Sequence, residues 1–172
     1  MNNLVQSLKV KKSLLPFCIF VCTIILIIPV KAQEQPPKPI TVTTVEVIQF
    51  LNFGAIIPTG DGTVTIDAAG LRSKFGGIIF PFIGPSPTRA LFRVHALKGT
   101  LITILNGPDA ILTGNAKTIT MKIGDASTGS PFITSTQDIT DVYIGGTLTV
   151  KNILINPAGE YSGQFSVTFI QQ

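Results

Sequence analysis

The strongest constraint on the fold is a run near the C-terminus in which polar and apolar side chains alternate. The apolar phase of residues 160–169 consists of Tyr161, Gly163, Phe165, Val167 and Phe169. Successive side chains of a β-strand point to opposite faces of a sheet, so this run predicts a strand with one buried and one solvated face. Because a half-buried strand needs a second layer to cover it, the pattern favours two packed sheets.

The residues before this run predict the other half of a closing hairpin. Gly145 and Gly146 open an alternating stretch that ends at Val150. Glycine adopts positive φ without steric cost, so this pair suits the start of such a strand. Asn156 and Gly159 hold the first and fourth positions of a proline-containing sequence that is typical of a type I turn. The sequence therefore predicts two strands joined by a tight connection.

The same period-two pattern recurs along the rest of the chain. Further strands are predicted at residues 40–48, 63–67, 90–96, 100–105 and 117–123, with weaker signals at residues 133 and 139–144. No stretch has the 3.6-residue periodicity of an amphipathic helix, and threonine, valine and isoleucine dominate the periodic segments. The fold is therefore predicted to be all-β, an antiparallel immunoglobulin-like β-sandwich, with a jelly roll as the alternative.

The segments between these strands are predicted to be connections. Residues 51–58 are apolar but broken by glycine and proline, which suggests a crossing from one sheet to the other. The composition of residues 59–62 predicts a turn, and residues 68–75 are expected to form a polar connection.

The N-terminus has the parts of a secretory signal peptide. A basic region at residues 9–12 precedes an uncharged apolar run at residues 14–30, and Ala32 ends a plausible cleavage site. We expect residues 1–32 to be removed, which predicts a secreted protein that resides in the periplasm, on the outer surface or outside the cell. The alternative is an uncleaved membrane anchor, because the apolar run approaches the length of a membrane span.

Removal of this segment changes what the charge and the cysteines imply. Four of the thirteen basic residues lie within residues 1–32, which leaves nine basic and nine acidic residues in the mature chain. The high pI therefore gives no reason to expect nucleic acid as a partner, and a membrane is expected only during export. Cys18 and Cys22 also lie in the apolar run, so the mature chain is expected to have no disulfide and no cysteine metal site.

The rest of the chain is predicted to be one domain behind a short linker. Residues 33–39 contain three prolines and no apolar periodicity, which favours an extended, solvated segment. Residues 40–172 contain all the predicted strands, and their number is ordinary for a single β-sandwich domain with its own core.

Short motifs in this domain resemble those of a bacterial family of secreted domains of unknown function that is fimbrillin-like in character. The motifs are LNFG followed by IP at residues 51–58, GTVTI at 62–66, GGTLTV at 145–150 and GEYSGQF at 159–165. The resemblance covers about residues 51–170 and implies an exported all-β domain without established catalytic residues. The motif residues that we expect to be structural are Gly54, Pro58, Gly145, Gly146, Gly159, Tyr161 and Gly163. Tyr161 is a candidate corner tyrosine, with its ring in the core and its hydroxyl bonded to nearby backbone.

Few residues offer catalytic or metal-binding chemistry. His95 is the only histidine, and a zinc or nucleophilic role would need partners that the mature sequence lacks. Asp61 with Asp67, and Asp138 with Asp141, are candidate carboxylate pairs for glycoside hydrolysis. Aspartates that bond their own backbone in turns explain all four more simply. We therefore predict a protein that is not an enzyme and that uses no metal or cofactor.

Two segments are candidates for binding a partner. Arg89, Arg93 and His95 share the outer phase of the predicted strand at residues 90–96. They could face an acidic sugar, although such a row is also typical of a solvated face or of an edge kept soluble by charge. Residues 40–48 could add to the sheet of a neighbouring copy or pair within their own sandwich.

These observations predict an exported, non-enzymatic surface protein. The main hypothesis is a structural or adhesive, fimbria-like subunit of the cell surface that associates with itself or with related subunits through residues 40–48. The alternative hypothesis is a monomeric extracellular module that binds carbohydrate or another ligand.

Overall fold

The computed structural model describes residues 44–135 and 139–172. The predicted signal peptide and linker, the first residues of the 40–48 strand and Asp138 lie outside the described residues. In the described part of the chain all regular secondary structure is β, and every strand pair is antiparallel. No helix there is long and apolar enough to cross a membrane. The prediction of an all-β, antiparallel, sandwich-like fold is confirmed.

Two sheets of unequal size form the fold. The seven-stranded sheet contains β1 (Thr44–Gln49), β2 (Ile57–Ile66), β3 (Arg72–Ile79), β4 (Ala90–His95), β6 (Ala110–Gly114), β7 (Lys117–Ala126) and β9 (Ile139–Val150). The three-stranded sheet contains β5 (Leu101–Asn106), β8 (Phe132–Ile133) and β10 (Val167–Gln171). The large sheet has the order β1-β4-β9-β2-β3, and β9 also pairs with β7, which carries β6. The small sheet has the order β10-β5-β8.

The core lies between the inward faces of these strands. The inward phases predicted for residues 63–67, 90–96 and 117–123 are confirmed, because their alternate residues are buried. The buried side chains of these three runs are Val64, Ile66, Ala90, Val94, Ala96, Ile119, Met121 and Ile123. From the small sheet, Ile102 and Ile104 of β5 and Phe132 of β8 join the same apolar cluster. Each fully buried valine or isoleucine contributes about 1.5–3 kcal/mol relative to an exposed one.

The long strand β9 connects the parts of the large sheet. Ile144 and the residues before it pair with β4, whereas Gly146 and the residues after it pair with β2 on the same side of the strand. At the change of partner, a Cβ atom on Gly145 would overlap the main-chain oxygen of Ile66. Neither Gly145 nor Gly146 has positive φ. The prediction that these glycines begin a hairpin strand is therefore wrong, since they permit close backbone contact in the middle of β9.

The predicted closing hairpin does not form. β9 belongs to the large sheet, and β10 belongs to the small sheet, where Val167 pairs with Asn106 and Gln171 with Ile102. The burial phase of residues 160–169 is nevertheless the predicted one. Its half-buried side chains are Tyr161, Phe165, Val167 and Phe169. The alternation of a strand determines which of its side chains are covered, but it does not determine which strand lies beside it.

Buried Asn156 fixes the connection between β9 and the C-terminal segment. Its Oδ1 accepts a hydrogen bond of 2.7 Å from the amide of Lys151, and its Nδ2 donates one of 3.0 Å to the carbonyl of Thr118. The side chain therefore ties this connection to the start of β7, and it satisfies its own polar atoms in doing so.

Three predictions for the connections are wrong. Residues 51–58 do not cross between sheets, because they join β1 and β2 of the large sheet. Residues 59–62 lie within β2, where the register with β3 shifts between Pro58 and Gly62. The polar connection predicted at residues 68–75 ends at Arg72, where β3 begins. The ladder between β2 and β3 tolerates glycine and polar residues, because β3 lies at the edge of the sheet, where bulges are common.

Candidate functional site

The outer side of β4 carries an ion pair with the neighbouring strand β9. Arg93 Nε lies 2.9 Å from Asp141 Oδ1, and Arg93 Nη2 lies 3.2 Å from Asp141 Oδ2. The hydrogen bond and the charge of Asp141 raise the pKa of Arg93 above its ordinary value. In turn, the hydrogen bond from Arg93 holds the pKa of Asp141 below its ordinary value. Glu46 of β1 lies opposite Arg93 on the other side, so Arg93 has a carboxylate on each neighbouring strand.

The other two side chains of this row, His95 and Arg89, have separate neighbours. His95 Nε2 lies 3.5 Å from Glu46 Oε1 and makes no hydrogen bond to any described residue. The guanidinium carbon of Arg89 lies 3.6 Å from the centre of the Tyr143 ring, and its Nη1 donates to the carbonyl of Ala68. Since β4 lies between β1 and β9, the row is not at a sheet edge. The two arginines of the row are therefore engaged within the fold, whereas His95 lies near Glu46 without a hydrogen bond from its Nε2 to any described residue.

The candidate carboxylates have structural partners as well. Asp61 Oδ2 lies 3.1 Å from Lys151 Nζ, and its Oδ1 accepts a hydrogen bond of 3.0 Å from the amide of Asn152. These bonds, with that from Lys151 first, hold the pKa of Asp61 below its ordinary value. Asp67 Oδ1 accepts a hydrogen bond of 2.8 Å from the amide of Leu71. Within residues 44–135 and 139–172, no group of three or more His, Cys, Asp or Glu side chains could hold a metal ion.

The feature of the structure with the geometry of a binding site is an apolar groove. We use this name for a cavity of about 920 Å³ that is lined by the connection at residues 49–58 and by residues 156–165. Inward side chains of four strands of the large sheet also line it. Among them are Ala90, Phe92, Leu112, Met121, Leu148 and Val150. This volume and this apolar lining fall within the usual range of small-ligand sites.

The groove exists because the two sheets differ in size. A three-stranded sheet cannot cover the inner face of a seven-stranded one, since neighbouring strands are about 4.8 Å apart. Apolar side chains therefore remain exposed around the groove. Phe50 keeps 80% of its surface exposed and Val47 keeps 53%, and both line the cavity.

The motif residues that the sequence marks as structural converge on this groove. Gly54, Pro58, Gly159, Tyr161 and Gly163 all line it. The remaining two motif glycines, at residues 145 and 146, lie within β9 and are not part of its lining. The groove was not predicted from the sequence. The available signal was that five of the seven motif residues cluster at two places in the chain, within residues 54–58 and 159–163.

Each of these residues shapes the backbone of a lining segment. Gly54 has a φ of 70°, and its amide donates a hydrogen bond of 2.8 Å to Asn52 Oδ1. A Cβ on Gly163 would lie 2.5 Å from the carbonyl oxygen of Ile111, so only glycine permits this approach. The Tyr161 hydroxyl donates a hydrogen bond of 3.0 Å to the carbonyl of Pro157, four residues earlier, while its ring packs against the core.

Comparisons with known proteins identify a family. No curated protein matches the chain, and no solved structure matches it. A family described as a domain of unknown function (DUF4402) matches residues 40–170, a range that includes β1 to β9, all but the last residue of β10 and the whole groove. The chain therefore belongs to this family, the domain of unknown function DUF4402.

Proposed function

We propose that this protein is an exported, non-enzymatic β-sandwich that serves as a structural or adhesive subunit of a fimbria-like assembly on the cell surface. The signal-peptide pattern of residues 1–32 supports export, and the fimbrillin-like motifs support the class of assembly. The observation that carries the proposal is the open edge of the large sheet at β1.

Strand β1 is an edge strand with an apolar side. All six of its residues are exposed, and its only strand partner in the described part of the chain is β4. Val45 pairs with Val94, and Val47 pairs with Phe92, so both valines extend the inward apolar face to the margin of the sheet. An exposed apolar edge with free main-chain groups is a template for pairing with another strand.

Another edge strand of the sheet, β3, has features that oppose such pairing. The β2–β3 ladder is irregular between Pro58 and Gly62, and Gly76 of β3 has a φ of 78°. Arg72 and Lys74 lie opposite the core residues Ile66 and Val64, so two charged side chains occupy the inward face. Bulges and inward charges are the means by which proteins protect sheet edges. This contrast supports association through β1 rather than through β3.

The proposal is tested with Val45→Lys in the mature chain that begins at residue 33, because Val45 is exposed on β1 and does not line the apolar groove. Lysine on an edge strand opposes strand addition, so we expect the dissociation constant for self-association to rise at least about tenfold. Analytical ultracentrifugation over a concentration series measures it. Phe75→Lys is the matched control, because Phe75 is an exposed residue of the protected β3 edge, and it is expected to leave self-association unchanged.

Two results contradict this proposal. A mature protein that stays monomeric at the highest attainable concentration rules out self-assembly through β1. An equal effect of Val45→Lys and Phe75→Lys, with both variants folded by circular dichroism, rules out the special role of this edge.

A monomeric extracellular module for carbohydrate or another ligand is the second candidate function. The apolar groove supports it, because about 920 Å³ is enough for a small ligand. Saturable binding to a glycan array by the monomer, weakened by Arg89→Ala, is the result expected for a carbohydrate module. An array without signal contradicts carbohydrate binding.

A further inference from the structure

The apolar groove contains exposed apolar surface and unpaired main chain. Phe53 and Ile56 lie in one of the connecting segments that line the groove, and Gly163, Gln164 and Phe165 lie in the other. The main-chain N–H and C=O groups of these five residues make no hydrogen bond with any described residue. Unpaired main-chain groups that are kept from water cost free energy, so an occupant that pairs with them is favoured over one that does not.

The exposed apolar side chains and the unpaired main-chain groups together restrict the chemistry of the occupant. An acyl chain fills an apolar cavity, but it offers no donors or acceptors to the main chain. A compact polar ligand pairs with main-chain groups, but it leaves the inward side chains of four strands uncovered. An extended peptide does both, because its backbone pairs at the sides while every second side chain points toward the apolar floor.

We propose that the apolar groove is a docking site for an extended peptide strand that carries apolar side chains at alternate positions. The inward face of β4, β6, β7 and β9 receives these side chains, and the segments at residues 53–56 and 163–165 pair with the backbone of the peptide. The polar phase of the peptide then faces solvent through the open side of the groove. Val47 of β1 belongs to the lining of this site, but peptide binding here does not require self-association.

The test uses the mature chain and a fluorescein-labelled peptide of alternating threonine and valine, with lysine at both ends for solubility. Fluorescence polarisation measures its binding, and we expect a saturable curve. A second peptide has the same sequence with N-methylated main-chain amides on alternate residues, which removes donors but keeps the side chains. Because the proposal needs backbone pairing, N-methylation is expected to weaken binding at least about tenfold.

Point variants locate the site. Phe50→Ser removes an exposed aromatic ring from the lining of the groove and is expected to weaken peptide binding about tenfold or more. Phe82→Ser is the matched control, since Phe82 is also fully exposed but does not line the groove. Both residues lie on the surface, and circular dichroism checks that both variants fold.

Three results overturn the proposal. The first is the absence of saturable binding by the unmodified peptide. The second is equal binding of the N-methylated and unmodified peptides together with displacement by dodecanoate, which identifies an acyl-chain site. The third is an equal loss of binding in Phe50→Ser and Phe82→Ser. None of these results bears on self-association, and Val45 does not line the groove, so this test and the test of Val45→Lys fail independently.

Discussion

At the scale of single residues, charge on this protein is organised across strands rather than along them. Arg93 of β4 has Glu46 opposite it on β1 and Asp141 opposite it on β9. The pair with Asp141 has two hydrogen bonds, which is the geometry in which an arginine and a carboxylate interact most strongly. The row at Arg89, Arg93 and His95 therefore contributes to joining three strands of the large sheet.

The lowered pKa of Asp141 predicts a pH-dependent contribution to stability. A carboxyl group whose pKa is lower in the folded state stabilises the fold above its unfolded pKa of about 4, and the contribution disappears as the pH falls through the folded value. We expect Asp141→Asn to lower the Tm by roughly 1–4 °C at pH 7, because the pair is partly exposed. Near pH 2 the variant and the wild type should unfold at the same temperature.

The control for this prediction is Asp109→Asn, which makes the same change of charge at an exposed position. Asp109 forms no ion pair with any described residue. The Tm of Asp109→Asn, measured by thermal unfolding from pH 7 to pH 2, should equal that of the wild type at each pH. A difference between Asp141→Asn and wild type that persists at pH 2 contradicts the assignment to the ion pair.

At the scale of the elements, the middle of β9 is the most constrained backbone in the large sheet. A Cβ on Gly145 would overlap the main chain of β2 at Ile66, and main chain cannot move aside as a flexible side chain can. We expect Gly145→Ala to reduce the free energy of unfolding by at least about 3 kcal/mol. Urea denaturation followed by circular dichroism measures this change.

Gly60→Ala is the matched control in β2. A Cβ at Gly60 would lie 3.7 Å from the Cα of Gly77, which is an ordinary van der Waals contact, and its φ is not positive. This substitution is expected to change the free energy of unfolding by no more than about 1 kcal/mol. Equal stability of the two variants would show that β2 and β9 can separate at this point without cost.

The strands also show which parts of the fold could be predicted from the sequence. The burial of Val64, Ile66, Ile119 and Met121 follows from local alternation, which needs no knowledge of the neighbouring strand. Pairing depends on residues far apart in the chain, and Arg93 and Asp141 are 48 positions apart. The strand β6 was not predicted, because its sequence, AILTG, does not alternate between polar and apolar residues.

The candidate site was less predictable than the fold. The row at Arg89, Arg93 and His95 has the predicted phase, but its partners on β1 and β9 could not be inferred from one strand. The groove depends on the difference in size between two sheets, which is a property of the complete topology. Local patterns marked only its glycines, Pro58 and Tyr161.

At the scale of the whole molecule, the unequal sheets predict an uneven distribution of stability. Residues 146–150 of β9 pair with β2 on one side, and residues 146–149 also pair with β7 on the other side. β1 has a strand partner on one side only within the described residues. Protection of amides rises with the number of contacts that must break to expose them.

We therefore expect the amides of residues 146–150 to exchange slowest with deuterium. The amides of Thr44–Gln49 should exchange at least about tenfold faster, through local opening of the sheet edge. Hydrogen–deuterium exchange with peptide-level mass spectrometry measures both. Equal protection of β1 and β9 in the monomer contradicts this expectation, and equal protection only at high protein concentration indicates that another chain covers the edge of β1.

The position of β9 in the sequence has a consequence for biogenesis. Strands β2 and β4 precede β9 by many residues, yet each pairs with it. β4 therefore lacks a neighbour until Ile144 has been made, and β2 lacks one until Val150 has been made. A chain that emerges from a ribosome or a translocation channel with its N-terminus first exposes the apolar side chains of β2 and β4 until synthesis is almost complete. During that interval they are open to chaperones, and to premature pairing with other nascent chains.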